Sequence, residues 1–163
     1  MFAAAKIDTT DKHVFYAELA SQLEGLLRGE SDVIANAANT AALIFHALPD
    51  LNWAGFYFLR SEQELVLGPF QGKPACVRIA TGKGVCGTSV ARRETMLVED
   101  VHAFPGHIAC DAASRSELVV PLLDSAGRVL GVIDLDSPLP GRFDPADQAG
   151  VEKLAAIWIA HSA

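Results

Sequence analysis

The sequence predicts an α+β fold: an antiparallel sheet with the N- and C-terminal helices grouped on one side. Three observations lead there. Apolar residues recur at helical spacing through two opening stretches, aromatic and β-branched blocks broken by turn residues fill the middle, and a strongly capped helix closes the chain. Helices first, then consecutive strands with one helical insert, then a last helix is the order of a sheet built from neighbouring antiparallel strands, with its helices segregated.

Taken in order, Val14, Leu19, Leu23, Leu26 and Leu27 mark the apolar stripe of a first helix. Ser31-Asp32 offers a cap to a second, whose stripe is Val33, Ile34, Ala37, Ala41, Ile44, Phe45 and Leu48, with Pro49-Asp50 as its stop. Trp53 to Leu59 reads as an aromatic strand, Arg60 to Gln63 as a turn, and Glu64 to Phe70 as the returning strand. Cys76 to Ala80 reads as a third strand, Gly82 to Arg93 as a short helix reached through glycines, and Thr95 to Val98 as another short strand. A long loop, Glu99 to Arg115, is of the kind that often carries function. Glu117 to Leu123 and Val129 to Leu135 form a hairpin around Asp124-Ser125-Ala126-Gly127, and Pro121 belongs at an edge or a bulge. Asp144 caps the closing helix, with Pro145 at its first position.

Composition removes several function classes. The 163 residues suit one domain, expected over 13–163 behind a tail at 1–12. The net charge of −7, from 13 basic and 20 acidic residues, leaves no basic patch for nucleic acid and no polybasic segment for an anionic membrane. The first residues are too few and too soon polar for a signal peptide, and no apolar run approaches the about 20 residues that span a bilayer. A cytoplasmic location is expected.

The chemistry is expected at three cysteines, Cys76, Cys86 and Cys110, an odd number that does not make a secreted disulfide framework. They lie on turn-rich or polar segments, and a reducing compartment keeps such thiols free for redox, catalytic or metal work. Cys86 follows Gly82-Lys83-Gly84 at an expected helix start, where unpaired N–H groups and Lys83 favour a thiolate. Cys110 lies in the long loop, near His107 and Arg115 in sequence. Small buried thiols are the plainer alternative. A zinc set of Cys76, Cys86, His107 and Cys110 is a further one, against which stands the lack of tight cysteine knuckles. Gly82-Lys83-Gly84-Val85-Cys86-Gly87 also matches a dinucleotide fingerprint, but that motif needs a βαβ unit and the strands here read as a meander.

Glu117, Asp134 and Asp136 are acids in strand positions. Asp134 and Asp136 share a face. They are either solvated or the lining of an acidic pocket that holds a cationic group, where a carboxyl with a raised pKa also serves as proton donor. Trp53, Phe56, Tyr57 and Phe58 are expected mainly in the core, with one face free to line a pocket.

Six segments together resemble a known family: Asn52 to Tyr57, Gly68 to Cys76, Gly82 to Gly87, Phe104 to Asp111, Ser116 to Pro121 and Gly131 to Ser137. The chain resembles the free methionine-(R)-sulfoxide reductases, single-domain GAF proteins, from about residue 13 to 160. The resemblance implies a GAF-like sheet and a cysteine mechanism with no metal and no cofactor. Cys110 would attack the sulfoxide sulfur, Glu117 would protonate the oxygen, and Cys76, with Cys86 as a second resolver or relay, would convert the sulfenic acid to a disulfide that thioredoxin resets. Asp134 and Asp136 would bind the free ammonium and Trp53 would pack the S-methyl end, so free methionine sulfoxide is the expected substrate. GAF analogy also implies a homodimer through the terminal helices, which light scattering would refute by giving a monomer mass. The competing reading is a non-enzymatic GAF module sensing a small molecule or redox state. It fits less well with three loop thiols and with a chain expected to carry no output domain.

Overall fold

A computed structural model describes residues 4–108 and 111–163. Its opening helices are α1 (Lys12–Leu27) and α2 (Val33–Ala47), and both begin on an aspartate cap: Asp11 accepts from the N–H groups of His13 and Val14, and Asp32 from that of Ala35. There follow β1 (Trp53–Ser61), β2 (Glu64–Gly72), β3 (Arg78–Ala80), α3 (Gly84–Arg92), β4 (Met96–Val98), β5 (Ser116–Leu123), β6 (Val129–Ser137) and α4 (Pro145–Ser162). The sheet has the order β3-β2-β1-β6-β5-β4, and every pairing is antiparallel. That excludes the βαβ unit a dinucleotide fingerprint requires.

The alternation of side chains divides the sheet into two faces. Ala54, Phe56 and Phe58 of β1, Leu118, Val120 and Leu122 of β5, and Ile133 and Leu135 of β6 pack on α1, α2 and α4 in the larger core. The N- and C-terminal helices thus lie on one side, as the sequence predicts. Trp158 of α4 is the centre of this layer, with ring centroids 5.2 Å from Phe56 and 6.0 Å from Phe58. The opposite face carries Trp53, Tyr57, Val119 and Val132 beneath α3.

The helix layer is fastened by a buried carboxylate. Asp147, 1% exposed, accepts from Tyr16 Oη at 2.8 Å, Lys12 Nζ at 2.6 Å, Arg142 at 3.3 Å and the backbone N–H of Asp144 at 3.0 Å. Asp144 completes the capping box of α4. The salt bridge from Lys12 helps to hold the Asp144 carboxyl at about 2, below its usual range.

Some local expectations are corrected. Val14, Val33 and Ile34 are exposed rather than part of the apolar stripes, because each sits in the first turn of its helix, beyond the packed faces. The first turn is tighter than predicted: β1 continues through Ser61, and only Glu62 and Gln63 form the bend. The third strand starts at Arg78, so Cys76 precedes it in a loop. Pro121 pairs with Val132, but β4 stops at Met96 opposite Val119, so the proline lies where β5 is locally an edge.

Gly150 marks the tightest contact between α1 and α4. A Cβ there would meet Tyr16 ring atoms at 2.1–2.4 Å. Alanine gains about 1 kcal/mol in helix propensity, but overpacking costs about 1–3 kcal/mol, and the bond to Asp147 keeps the Tyr16 ring from moving aside. Gly150→Ala is therefore expected to lower the melting temperature, by about 2–4 °C for each kcal/mol of net loss. Thermal unfolding that showed an unchanged or higher midpoint would contradict the packing argument.

Candidate active site

The site is built on the face of the sheet opposite the terminal helices. Strand register sets its rows. Trp53 pairs with Asp136, and Asp136 with Glu117; in the next row Gly55 pairs with Asp134, and Asp134 with Val119. Period two brings all three acids to one face together with Trp53 and Tyr57. Gly55 lets Phe70 and the Trp53 ring pack close against β1: a Cβ at this position would come within 2.4 Å of Phe70 Cβ and 2.7 Å of the Trp53 ring. Trp53 stacks between Tyr57 and Phe70, with centroids 5.8 and 5.3 Å away, forming an aromatic wall.

Helix α3 closes the other side. Gly84 has φ of +60°, a conformation glycine adopts without penalty. At Gly87 a Cβ would lie 2.3 Å from the Ala80 carbonyl oxygen, so only glycine lets the helix approach the end of β3 this closely. This approach drives Cys86, 3% exposed, against the acidic face. Its Sγ donates to Asp134 Oδ2 at 3.3 Å and lies 4.0 Å from Glu117 Oε1.

The cleft has a cavity volume of about 40 Å³. It is lined by Trp53, Cys86, Glu117, Asp134 and Asp136, five of the residues singled out in the sequence, and by the Lys73–Ala75 segment that leads to Cys76. Cys76 is disulfide-bonded, whereas Cys86 is free. Cys110 falls outside the described residues.

Burial dominates the electrostatics. Glu117 and Asp134 are 6% and 5% exposed, so neither is a solvated surface acid, and both line the cleft. Desolvation, followed by the charges of Asp134 and Asp136, drives the Glu117 carboxyl well above its ordinary range. Desolvation raises Asp134 to about 7, against the opposing pull of hydrogen bonds from Cys86 and Glu117. Asp136 is raised by burial and then by Asp134. The thiolate expected at Cys86 is corrected: its helix start is where the sequence placed it, but burial and the charges of Asp134 and Glu117 push the thiol well above its normal pKa. Local helix geometry is outweighed by two acids that are remote in sequence.

Several contacts that shape the site were not foreseen in the sequence. Tyr57 Oη donates to the Cys76 carbonyl at 3.0 Å, and Trp53 Nε1 to that of Lys73 at 3.2 Å, so β1 tethers the cysteine loop. Asn52 Nδ2 donates to Ser114 Oγ at 3.0 Å and to Asp111 Oδ2 at 3.3 Å, and Lys73 pairs with Asp111 at 3.4 Å. The sequence already sets Tyr57 beside Trp53 in the aromatic strand with one face free to line a pocket; nothing local marks Asn52 or Ser114. His107 lines the cleft, and burial lowers its pKa. His102 lies in a short 3-10 turn, Val101–Ala103, outside the lining.

Comparison with known proteins agrees with this architecture. A family model described as GAF domain matches residues 35–160. The chain is 53% identical over 146 residues to the free methionine-R-sulfoxide reductase of Escherichia coli (strain K12), covering 90% of this chain and 87% of the relative. It is 45% identical over 153 residues to the free methionine-R-sulfoxide reductase of Saccharomyces cerevisiae, covering 90% and 85%. The X-ray structure of free methionine-R-sulfoxide reductase from Neisseria meningitidis in complex with its substrate superposes with a TM-score of 0.93 at 43% identity, covering 99% of this chain and 95% of that one. The chain belongs to the GAF domain family and, within it, to the free methionine-R-sulfoxide reductases, which are oxidoreductases. Among the described residues, no helix is long and apolar enough to cross a membrane.

The raised carboxyls make stability depend on pH with a definite sign. A group with a folded pKa above its unfolded value binds more protons in the native state, so its contribution is complete below the unfolded value and lost as pH rises through the folded one. For Asp134 the loss runs from about 4 to about 7. Ligand-free protein should become less stable to urea across that window. Asp134→Asn, which mimics the protonated side chain, should flatten the fall and be more stable at pH 8 by on the order of 1–3 kcal/mol. A variant less stable than wild type at pH 8 would show that the carboxylate is not under strain.

Proposed function

We propose that the protein reduces free L-methionine-(R)-sulfoxide to L-methionine by thiol chemistry. The observation that supports this most strongly is the row Trp53–Asp136–Glu117, with Asp134 beside it: an aromatic wall and three acids, Glu117 among them with a carboxyl raised well above its ordinary range by burial, line one cleft. Each part answers one feature of the substrate. Asp134 and Asp136 take the α-ammonium, whose charge restores their ionised forms. Trp53 packs the S-methyl group, since aromatic rings favour sulfur and methyl groups. Glu117 keeps its proton at neutral pH and donates it to the sulfoxide oxygen. Backbone N–H groups of the loop between β4 and β5 hold the carboxylate.

Cys110 serves as the nucleophile. Its thiolate attacks the sulfoxide sulfur, the oxygen passes to the cysteine as it takes the proton from Glu117, and methionine leaves with Cys110 oxidised to a sulfenic acid. Cys76 then attacks that sulfur, water leaves, and the disulfide holds the two electrons' worth of oxidation. The thiol pair of thioredoxin returns both cysteines to thiols by exchange. The disulfide at Cys76 and the free, buried Cys86 with its raised pKa support Cys76 over Cys86 as first resolver, because the thiolate is the attacking form. The acid pair also explains preference for a free amino acid: a peptide-bound residue offers no ammonium and would leave buried carboxylates unpaired.

A thioredoxin-coupled assay on free L-methionine-(R)-sulfoxide, its (S) epimer and the N-acetylated (R) form tests the reading. Turnover is expected on the free (R) form alone and should vanish in Cys110→Ser. No turnover of any substrate by folded protein would move the assignment to a redox or ligand sensor. Glu117→Gln keeps the shape but removes the proton, so kcat should drop about 10²–10⁴-fold with KM little altered. A near-normal kcat in this variant would transfer the acid role to another group.

A further inference from the structure

We infer that Cys86, Glu117 and Asp134 form a binding site for a borderline divalent transition-metal ion, with Zn²⁺ as the type, and that its occupation blocks the cleft. The blocking clause rests on the function proposed above; the binding does not. One ligand atom from each of the three residues lies within 4.8 Å of the others, and all three residues are buried. Cys86 Sγ lies 3.3 Å from Asp134 Oδ2 and 4.0 Å from Glu117 Oε1. Tetrahedral zinc, with Zn–S of about 2.3 Å and Zn–O of about 2.0–2.2 Å, spaces a sulfur and an oxygen ligand by roughly 3.5 Å. Small side-chain rotations therefore suffice to close three corners of a tetrahedron.

A second observation points to a cation. Asp134 is 5% exposed, lines the cleft, and its Oδ1 has no hydrogen-bond partner. Around it the charge is one-sided. Of the described residues lining the cleft, Lys73 is the sole lysine or arginine, and its ammonium is paired with Asp111. His107 is driven toward its neutral form by burial. A dication supplies the positive charge that these acids lack. The donor set then selects among dications: a thiolate with two carboxylates suits Zn²⁺ or Co²⁺, while Mg²⁺ and Ca²⁺ prefer oxygen alone. On binding, a metal–sulfur bond and two metal–oxygen bonds form, the protons of the Cys86 thiol and of the Glu117 carboxyl pass to solvent together with any carried by Asp134, and no electrons change hands. The fourth position faces the cleft and takes water.

This ligand set differs from the cysteine and histidine combination considered in the sequence. It does not need Cys76, which is disulfide-bonded, and it is rigid, since Glu117 and Asp134 stand on adjacent strands and Cys86 in the first turn of α3. Because the metal would share Asp134 with the ammonium, metal and substrate compete.

Titration of the disulfide form with Co²⁺, read by absorption, tests the site. A thiolate-to-cobalt charge-transfer band in the near ultraviolet is expected, with tetrahedral d–d bands in the visible, and Zn²⁺ should bleach both. Cys86→Ser should remove the charge-transfer band. Glu117→Gln should weaken binding by more than the roughly 10–100-fold that an outer-shell partner costs. No band in wild type, or a band that persists in Cys86→Ser with unchanged circular dichroism, would overturn the inference. Free methionine should displace Co²⁺ from wild type. Thiolate-bound cobalt that methionine fails to displace would keep the metal site and overturn the ammonium pocket instead.

Discussion

Desolvation of three acids on one face of the β5–β6 pair is the constraint on which the rest of the structure depends. The same two strands carry Leu118, Val120, Leu122, Ile133 and Leu135 on their other face, where the helices sit. Alternation thus makes each strand core and site at once. It also fixes the register. A slip of one residue would bury Asp134 against the helix layer and turn Ile133 into the cleft. The larger core must therefore be strong enough to hold a face that would be more stable in water. The aromatic packing of Phe56 and Phe58 on Trp158, and the network around Asp147, account for its fixed geometry.

Once the acids are held in place, the mobile chemistry can be hung on loops. Trp53 and Tyr57 reach from the rigid central strand to the main-chain carbonyls of Lys73 and Cys76. Lys73 in turn pairs with Asp111, which Asn52 also contacts at the foot of β1. Side chains of a single strand thus tie down the loop bearing Cys76 and the segment that resumes at Asp111. The tether runs through main-chain carbonyl oxygens and not through the Cys76 side chain, which is disulfide-bonded.

Much of the fold was legible because it is written in local rules. Aspartate caps at Asp32 and Asp144, proline at the first position of α4 and period-two blocks all specify elements by their own residues. Misplacements came where a local pattern has no tertiary partner, as at Val14, Val33 and Ile34. The site was legible in part. The three acids could be placed on one face from spacing, yet whether they were solvated depended on α3 covering them, which no residue near Asp134 announces. Cys86 shows the limit most plainly. Its sequence neighbours argue for a thiolate, and its neighbours in space, Glu117 and Asp134, lie 31 and 48 residues away and argue for a thiol.

That reversal assigns the two kinds of cysteine different work. Reaction with a sulfoxide or a sulfenic acid needs a thiolate, which is costly beside carboxylates and out of water. Burial imposes that cost on Cys86 and negative charge on its acid neighbours adds to it, so it is held neutral and acts as a hydrogen-bond donor to Asp134 Oδ2. The bond holds one oxygen of the carboxylate and leaves Oδ1 buried without a hydrogen-bond partner. An unpaired buried oxygen is a standing penalty of the size of a lost hydrogen bond. Protonation of Asp134 relieves that penalty, and so would the ammonium or the metal ion proposed for the cleft.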